Sequence, residues 1–286
     1  MKTYNVSGLL DETYFYDFAK TKKAKDHIIT ENKTFILYSL NVENDIMAKK
    51  YGRQRGNYRT FFFNNVIDLS ENDFDDLVDS IANETKNMIQ NKCPNFSSVL
   101  VVGLGNSSIT VDSLGAQTIK NVIVKGRDSV SPYVFAVSTD VFSYTGMETS
   151  DHIRGLVLAS LPDVVVVVDS LAAKSKNRLY STVQISDAGI IPGSAVGGDN
   201  EVISEKSIGV PVISIGVPTV ISASSLISDA LSFAKIDISP KLQKKINKEN
   251  NFFVTPSYCD IGIRSSSLLI SQAINIACSS NIQQLD

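Results

Sequence analysis

The sequence predicts an α/β fold: a three-layer sheet with helices on both faces. Three observations lead there. Short apolar runs alternate with amphipathic stretches along most of the chain after Pro94. One of those runs, Val164–Val168, is all valine with no polar alternation, the pattern of a strand covered on both faces. The chain has 286 residues, 43% of them hydrophobic and 20% charged. A chain of that length and balance can bury a large core without disulfides or metals.

The elements follow in order. Residues 1–33 are polar, Lys-rich and weakly patterned, and read as an N-terminal arm ahead of a single domain spanning 34–286. Thr34–Leu40 and Tyr58–Phe63 read as strands joined by a loop holding Gly52 and Gly56. Ser70 looks like an N-cap followed by acids. Phe74, Leu77, Val78, Ile81, Met88 and Ile89 then recur at helical spacing, until Pro94 ends the run. Strands are predicted at Val99–Val102, Val134–Val137, Val164–Val168, Val183–Ile185 and Val212–Ile215. Helices are predicted at 112–122, 150–160, 221–234 and 265–277, with an exposed Lys/Asn-rich connection at 235–251.

Composition also narrows the function. The net charge is −3, from 27 Lys and Arg against 30 Asp and Glu, which argues against nucleic-acid binding through a basic surface. No apolar run approaches the roughly 18 residues of a membrane span. The first residues lack a signal-peptide core, so the expectation is a cytoplasmic protein. Three widely spaced Cys and two His give neither a disulfide framework nor a zinc cage. No cofactor or metal is expected. Acid–base chemistry must fall mainly on carboxylates, Lys or Tyr.

In open α/β sheets, ligands bind beyond the carboxyl ends of the strands. Two such places carry acids: Asp112, after Val101–Asn106, and Asp169, after the valine run. The Gly103-Leu104-Gly105 step is not a dinucleotide loop, because Ser108 stands where a third Gly is needed; no Gly-Lys-Ser/Thr makes it a P-loop either. Each Asp alone also reads as a helix N-cap. Brought into one cleft, the two could not both ionise easily. Such a pair can act as acid and base on a bound water.

Several stretches resemble one family. They are GLGNSSITVDSLGAQ, STDVFSYTGMETSDHIRG, PDVVVVVDSLAAKS, TVQISDAGIIPGSAVG and IGVPVISIGVPTVI, with FFVTP near the C-terminus and Gly56-Asn57-Tyr58 at a strand entry. Together, and in this order, they look like the signature of the germination proteases, endopeptidases that degrade small acid-soluble spore proteins. The resemblance implies an α/β fold similar to that of hydrogenase maturation endopeptidases and an atypical aspartic mechanism with its acids at Asp112 and Asp169. It implies a zymogen with an N-terminal propeptide, processed near Phe15, and a homotetramer in the spore core. Small acid-soluble spore proteins would be the substrate and partner, with no direct contact to nucleic acid or membrane.

Further candidates for substrate contact or oxyanion stabilisation are Gly103, Gly105, Asn106, Glu148, Asp187 and Ser194. Gly103, Gly105 and Asn106 would shape the loop beside the acids. Glu148 stands in the TGMET stretch, Asp187 follows a strand, and Ser194 lies in the loop after Pro192. The chain departs from the family at Thr110-Val111-Asp112, where Thr-Pro-Asp is usual, and at residues 191–199. The departure at residues 191–199 leaves room for a catalytically degenerate paralogue that binds or regulates, and the implied fold leaves a second alternative, a metal-recognising maturation peptidase.

Overall fold

A computed structural model describes residues 27–127, 132–193, 201–248 and 252–279. The chain forms β1 (His27–Glu31), β2 (Phe35–Val42), α1 (Asp45–Tyr51), β3 (Gly56–Phe63), α2 (Glu71–Lys92) and β4 (Ser98–Gly103). There follow α3 (Leu114–Ile119), β5 (Tyr133–Ser138), α4 (Phe142–Thr145), α5 (Thr149–Ser160) and β6 (Val164–Ala173). The last elements are β7 (Thr182–Ser186), α6 (Glu205–Ile208), β8 (Val212–Ser222), α7 (Ala223–Phe233), α8 (Pro240–Ile246), β9 (Phe253–Val254) and α9 (Cys259–Ala277).

The strands join one sheet in the order β1-β2-β3-β7-β8-β6-β4-β5, with β9 paired to β8. β8, β6, β4 and β5 are parallel, whereas β1, β2, β3 and β7 pair antiparallel up to and including the β7–β8 junction. Alternation across the central strands feeds two cores. Val99, Val101, Val164, Val166 and Val168 face α2 and α9 through Leu77, Ile81, Ile89, Leu269, Ile270 and Ile274. Leu100, Val102, Val165 and Val167 face the other way, against Ile153 and Val157 of α5 and Ile208 of α6. The five valines are fully buried, each side chain stabilising the fold by about 1.5–3 kcal/mol relative to exposure. A valine-only strand therefore needs a helix layer on each face, as the pattern predicted.

Local chemistry explains the helix starts. Ser70 Oγ accepts the N–H of Asp73 at 3.2 Å, and Thr34 Oγ1 donates to the Asp73 carboxylate at 3.0 Å, tying α2 to the start of β2. Asn44 Oδ1 accepts the Met47 N–H, and Gly52, at φ +61°, ends α1.

Four expectations need correction. The polar stretch before Thr34 ends in an edge strand, β1, paired with β2 from His27–Leu40 to Glu31–Ile36. The connection expected as a loop between β2 and β3 carries α1, and the Lys/Asn-rich connection at 235–251 carries α8, capped by Ser239. The helix expected at 112–122 is a 3₁₀ turn, Thr110–Asp112, followed by the short α3. The residues around Phe15, where processing was expected, lie outside the described chain.

Candidate active site

β4 pairs with β6 from Val99–Val164 to Gly103–Val168 and then stops. β6 runs on. Asp169, next in line, is held by β8 on one side, opposite Gly216, and has no strand on the other. It is thus an interior strand residue rather than the helix N-cap that its position also suggested. The N–H of Leu104 donates to Val168 O at 2.8 Å, and the chain then turns over the open flank of Asp169. Gly103 is required just before that turn: a Cβ there would strike the carbonyl of Gly115 in α3.

The turn brings Asp112 to the same place. Gly105 has φ +92°, and a Cβ on it would meet the main-chain oxygen and the carboxyl group of Asp112. The next N–H, of Asn106, donates to Asp112 Oδ2 at 2.7 Å. Asn106 Oδ1 accepts the N–H of Ser108, and Asp112 N donates to Ile109 O at 2.9 Å, so the loop closes on itself. A second support comes from β8. Leu171 pairs with Pro218 but Ala172 pairs with Val220, leaving Thr219 as an extra residue. Its hydroxyl donates to Val111 O at 2.7 Å, and its own carbonyl accepts from Thr255 Oγ1 at 2.8 Å.

Asp112 and Asp169 line one cavity of about 380 Å³. Leu104, Ile109, Val111, Phe142, Val220 and Phe253 contribute apolar wall, while Asp140 and Glu148 add two further carboxyl groups. Asp169 is only 4% exposed. Burial, and next the nearby charge of Asp112, push its carboxyl well above the ordinary carboxylate range; the Ser170 N–H, 2.8 Å away, opposes this. Asp112 is half-buried. Burial raises it, the Asn106 N–H lowers it, and the charge of Asp140 raises it again.

The expected site residues thus separate. Asp112, Asp169, Gly105 and Glu148 line the cavity. Gly103 and Asn106 shape its loop, and the Asn106 main-chain amide is engaged by Asp112 rather than aimed at substrate. Asp187 is elsewhere: β7 runs antiparallel to β8, so its carboxyl end points to the amino ends of the parallel strands. There Asp187 accepts from Asn57 N at 2.6 Å and Asn57 Nδ2 at 2.8 Å, with Lys92 Nζ at 3.7 Å. Ser194 lies outside the described residues, although Pro192 and Gly193 reach the cavity. Asp140 was not anticipated, yet it follows β5 as an acid at the carboxyl end of a parallel strand, the same signal that marked the other two. Among the described residues, no group of three or more His, Cys, Asp or Glu is arranged to hold a metal ion. None of the described helices is long and apolar enough to cross a membrane.

Comparison with known proteins supplies the family. The germination protease family model matches residues 16–253. The germination protease of Clostridium acetobutylicum is 32% identical over 90% of this chain and 86% of its own length. That of Geobacillus sp. is 40% identical over 65% of this chain, which spans about half (53%) of the relative. The HycI [NiFe] hydrogenase maturation protease of Thermococcus kodakarensis aligns with 65% of this chain and 97% of its own, at 14% identity and a TM-score of 0.36. The sequence relatives are proteases. The chain belongs to the germination protease family, a family of peptidases.

Proposed function

We propose that the chain hydrolyses small acid-soluble spore proteins through Asp112 and Asp169, acting as one acid–base pair. The observation that carries this reading is the shared cavity, in which burial first, and then the charge of Asp112, raise the Asp169 carboxyl. Asp169, buried and raised furthest, holds the proton. Asp112, more exposed and bonded by the Asn106 N–H, is the ionised partner. Asp112 takes a proton from water as the water oxygen bonds to the peptide carbonyl carbon, and Asp169 gives its proton to the carbonyl oxygen. When the C–N bond breaks, the proton on Asp112 passes to the leaving nitrogen, and a hydroxyl proton of the intermediate returns to Asp169. Because the Asn106 amide already serves Asp112, the developing oxyanion is neutralised by Asp169 rather than by that amide. In this reading the apolar walls would take a peptide segment, and Glu148, also in the lining, would meet its polar groups.

Synthesis as a zymogen, assembly as a homotetramer and residence in the spore core complete the proposal, on the family likeness alone. The test is digestion of a purified small acid-soluble spore protein by the full chain, after any maturation step, and by Asp112→Asn and Asp169→Asn. Each variant should lose on the order of 10²–10⁴-fold in rate while keeping its fold. Wild-type rates in either variant would remove the pair. Intact substrate with the unsubstituted chain under every activating condition would favour a binding role.

A further inference from the structure

Three adjacent strands deliver three acids to the cavity. In the order β6-β4-β5, Asp169 lies on β6, Asp112 ends the loop after β4, and Asp140 follows β5. In the strand order, Asp112 therefore follows the strand that lies between those leading to the other two acids. Asp140 has its own supports. Thr139 N continues the ladder to Gly103 O at 2.9 Å, setting where the next residue falls. Asp140 Oδ1 accepts the Val141 N–H at 2.9 Å, and Oδ2 accepts Ser107 Oγ at 3.2 Å. Ser107 directly follows the residue whose amide holds Asp112. The described titratable groups facing the cavity are Asp112, Asp140, Glu148 and Asp169, from four elements, with no Lys, Arg or His among the described lining to offset them.

We infer that Asp140 is a positioning residue of this site, anchoring the 105–112 loop through Ser107 and governing, by its negative charge, the pH at which Asp112 can act. The inference rests on the acid-pair reading. The hydrogen bond alone would make Asp140 a loop anchor; its place in a cavity whose described lining holds no opposing charge makes it an electrostatic partner as well. Burial is the first cause of the raised Asp112 carboxyl, the Asn106 N–H opposes it, and the charge of Asp140 adds to the rise.

Two variants divide the roles. Asp140→Asn removes the charge and keeps an acceptor for Ser107. Ser107→Ala removes the bond and keeps the charge. For Asp140→Asn, the limb of the kcat profile set by Asp112 should move to lower pH. The carboxyl titration of Asp112, followed by ¹³C NMR in labelled full-length protein, should move the same way. Ser107→Ala should lower kcat without moving the limb. An unmoved titration and profile in Asp140→Asn would overturn the inference, as would an equal shift in Ser107→Ala or a change in KM alone. Because the carboxyl titration does not depend on turnover, it still reports on Asp140 if Asp112→Asn proves active and the catalytic reading fails.

Discussion

The amide of Asn106 lies 2.7 Å from Asp112 Oδ2, a bond made within six residues of chain. It is possible only because Gly105, at φ +92°, lets the main chain double back beneath the carboxyl group. The left-handed glycine, the donated N–H and the acid form one unit, so the loop sequence and the placement of the acid are inseparable.

Gly105→Ala tests that unit. Strained φ and contact with the Asp112 carbonyl should cost about 1–3 kcal/mol of stability. Displacement of Asp112 should lower kcat by about 10²-fold. Denaturant melts and initial rates check both, and a variant with unchanged rate would show that the loop need not be held this way.

Burying Asp169 has a cost that depends on pH. Its carboxyl binds a proton more tightly folded than unfolded. The stability gained from that proton is full below the unfolded value, near 4, and is lost as pH rises towards the folded value. Asp169→Asn does not titrate. Its stability relative to the wild type should rise with pH, by about 1.4 kcal/mol for each unit over which only the unfolded chain ionises. Melting at pH 4 and pH 8 measures the gap; a gap equal at both would contradict the raised carboxyl.

Thr219→Val removes the hydroxyl that β8 extends to Val111 O while keeping the side-chain shape. Stability should fall by about 1 kcal/mol, and kcat by about tenfold or more through loosening of the Thr110–Asp112 turn. The informative measurement is the rate per folded molecule. If only stability changes, the bulge supports the sheet and not the acid.

Asp187→Ala should behave in the opposite way. It strips two bonds from Asn57 and the charge partner of Lys92, at the far end of the sheet from the cavity. A loss of about 2–4 kcal/mol is expected, with kcat/KM unchanged once corrected for the folded fraction. Loss of kcat in fully folded protein would return Asp187 to the site.

The layers were legible in local pattern, and so were the positions of the two acids that line the cavity, whereas their pairing was suggested by the family resemblance. A run of valines cannot sit on a surface, and an acid beyond a parallel strand is a positional signal. Strand direction is different. Val183–Ile185 reads as a strand, but nothing in those residues says that it runs against β8, which is why Asp187 was expected in the cleft. The length of β6 was hidden by Asp169 itself, a residue type depleted in strands. β8 was cut short for a similar reason: Pro218 argues against a central strand, and only the bulge at Thr219 accommodates it. Asp140 was legible by the rule that found Asp169, applied to the strand at Val134–Val137. α1 and α8 are only seven residues each, too short for a clear periodicity, and their capping residues, Asn44 and Ser239, are the stronger signal.

The change of strand direction at the β7–β8 seam splits the molecule by task. Damage near Asn57 and Lys92 should surface as poor yield and easy melting, whereas damage near Gly105 should leave a sturdy but idle protein. A random library sorted first for solubility and then for cutting would draw that frontier across the sheet, residue by residue.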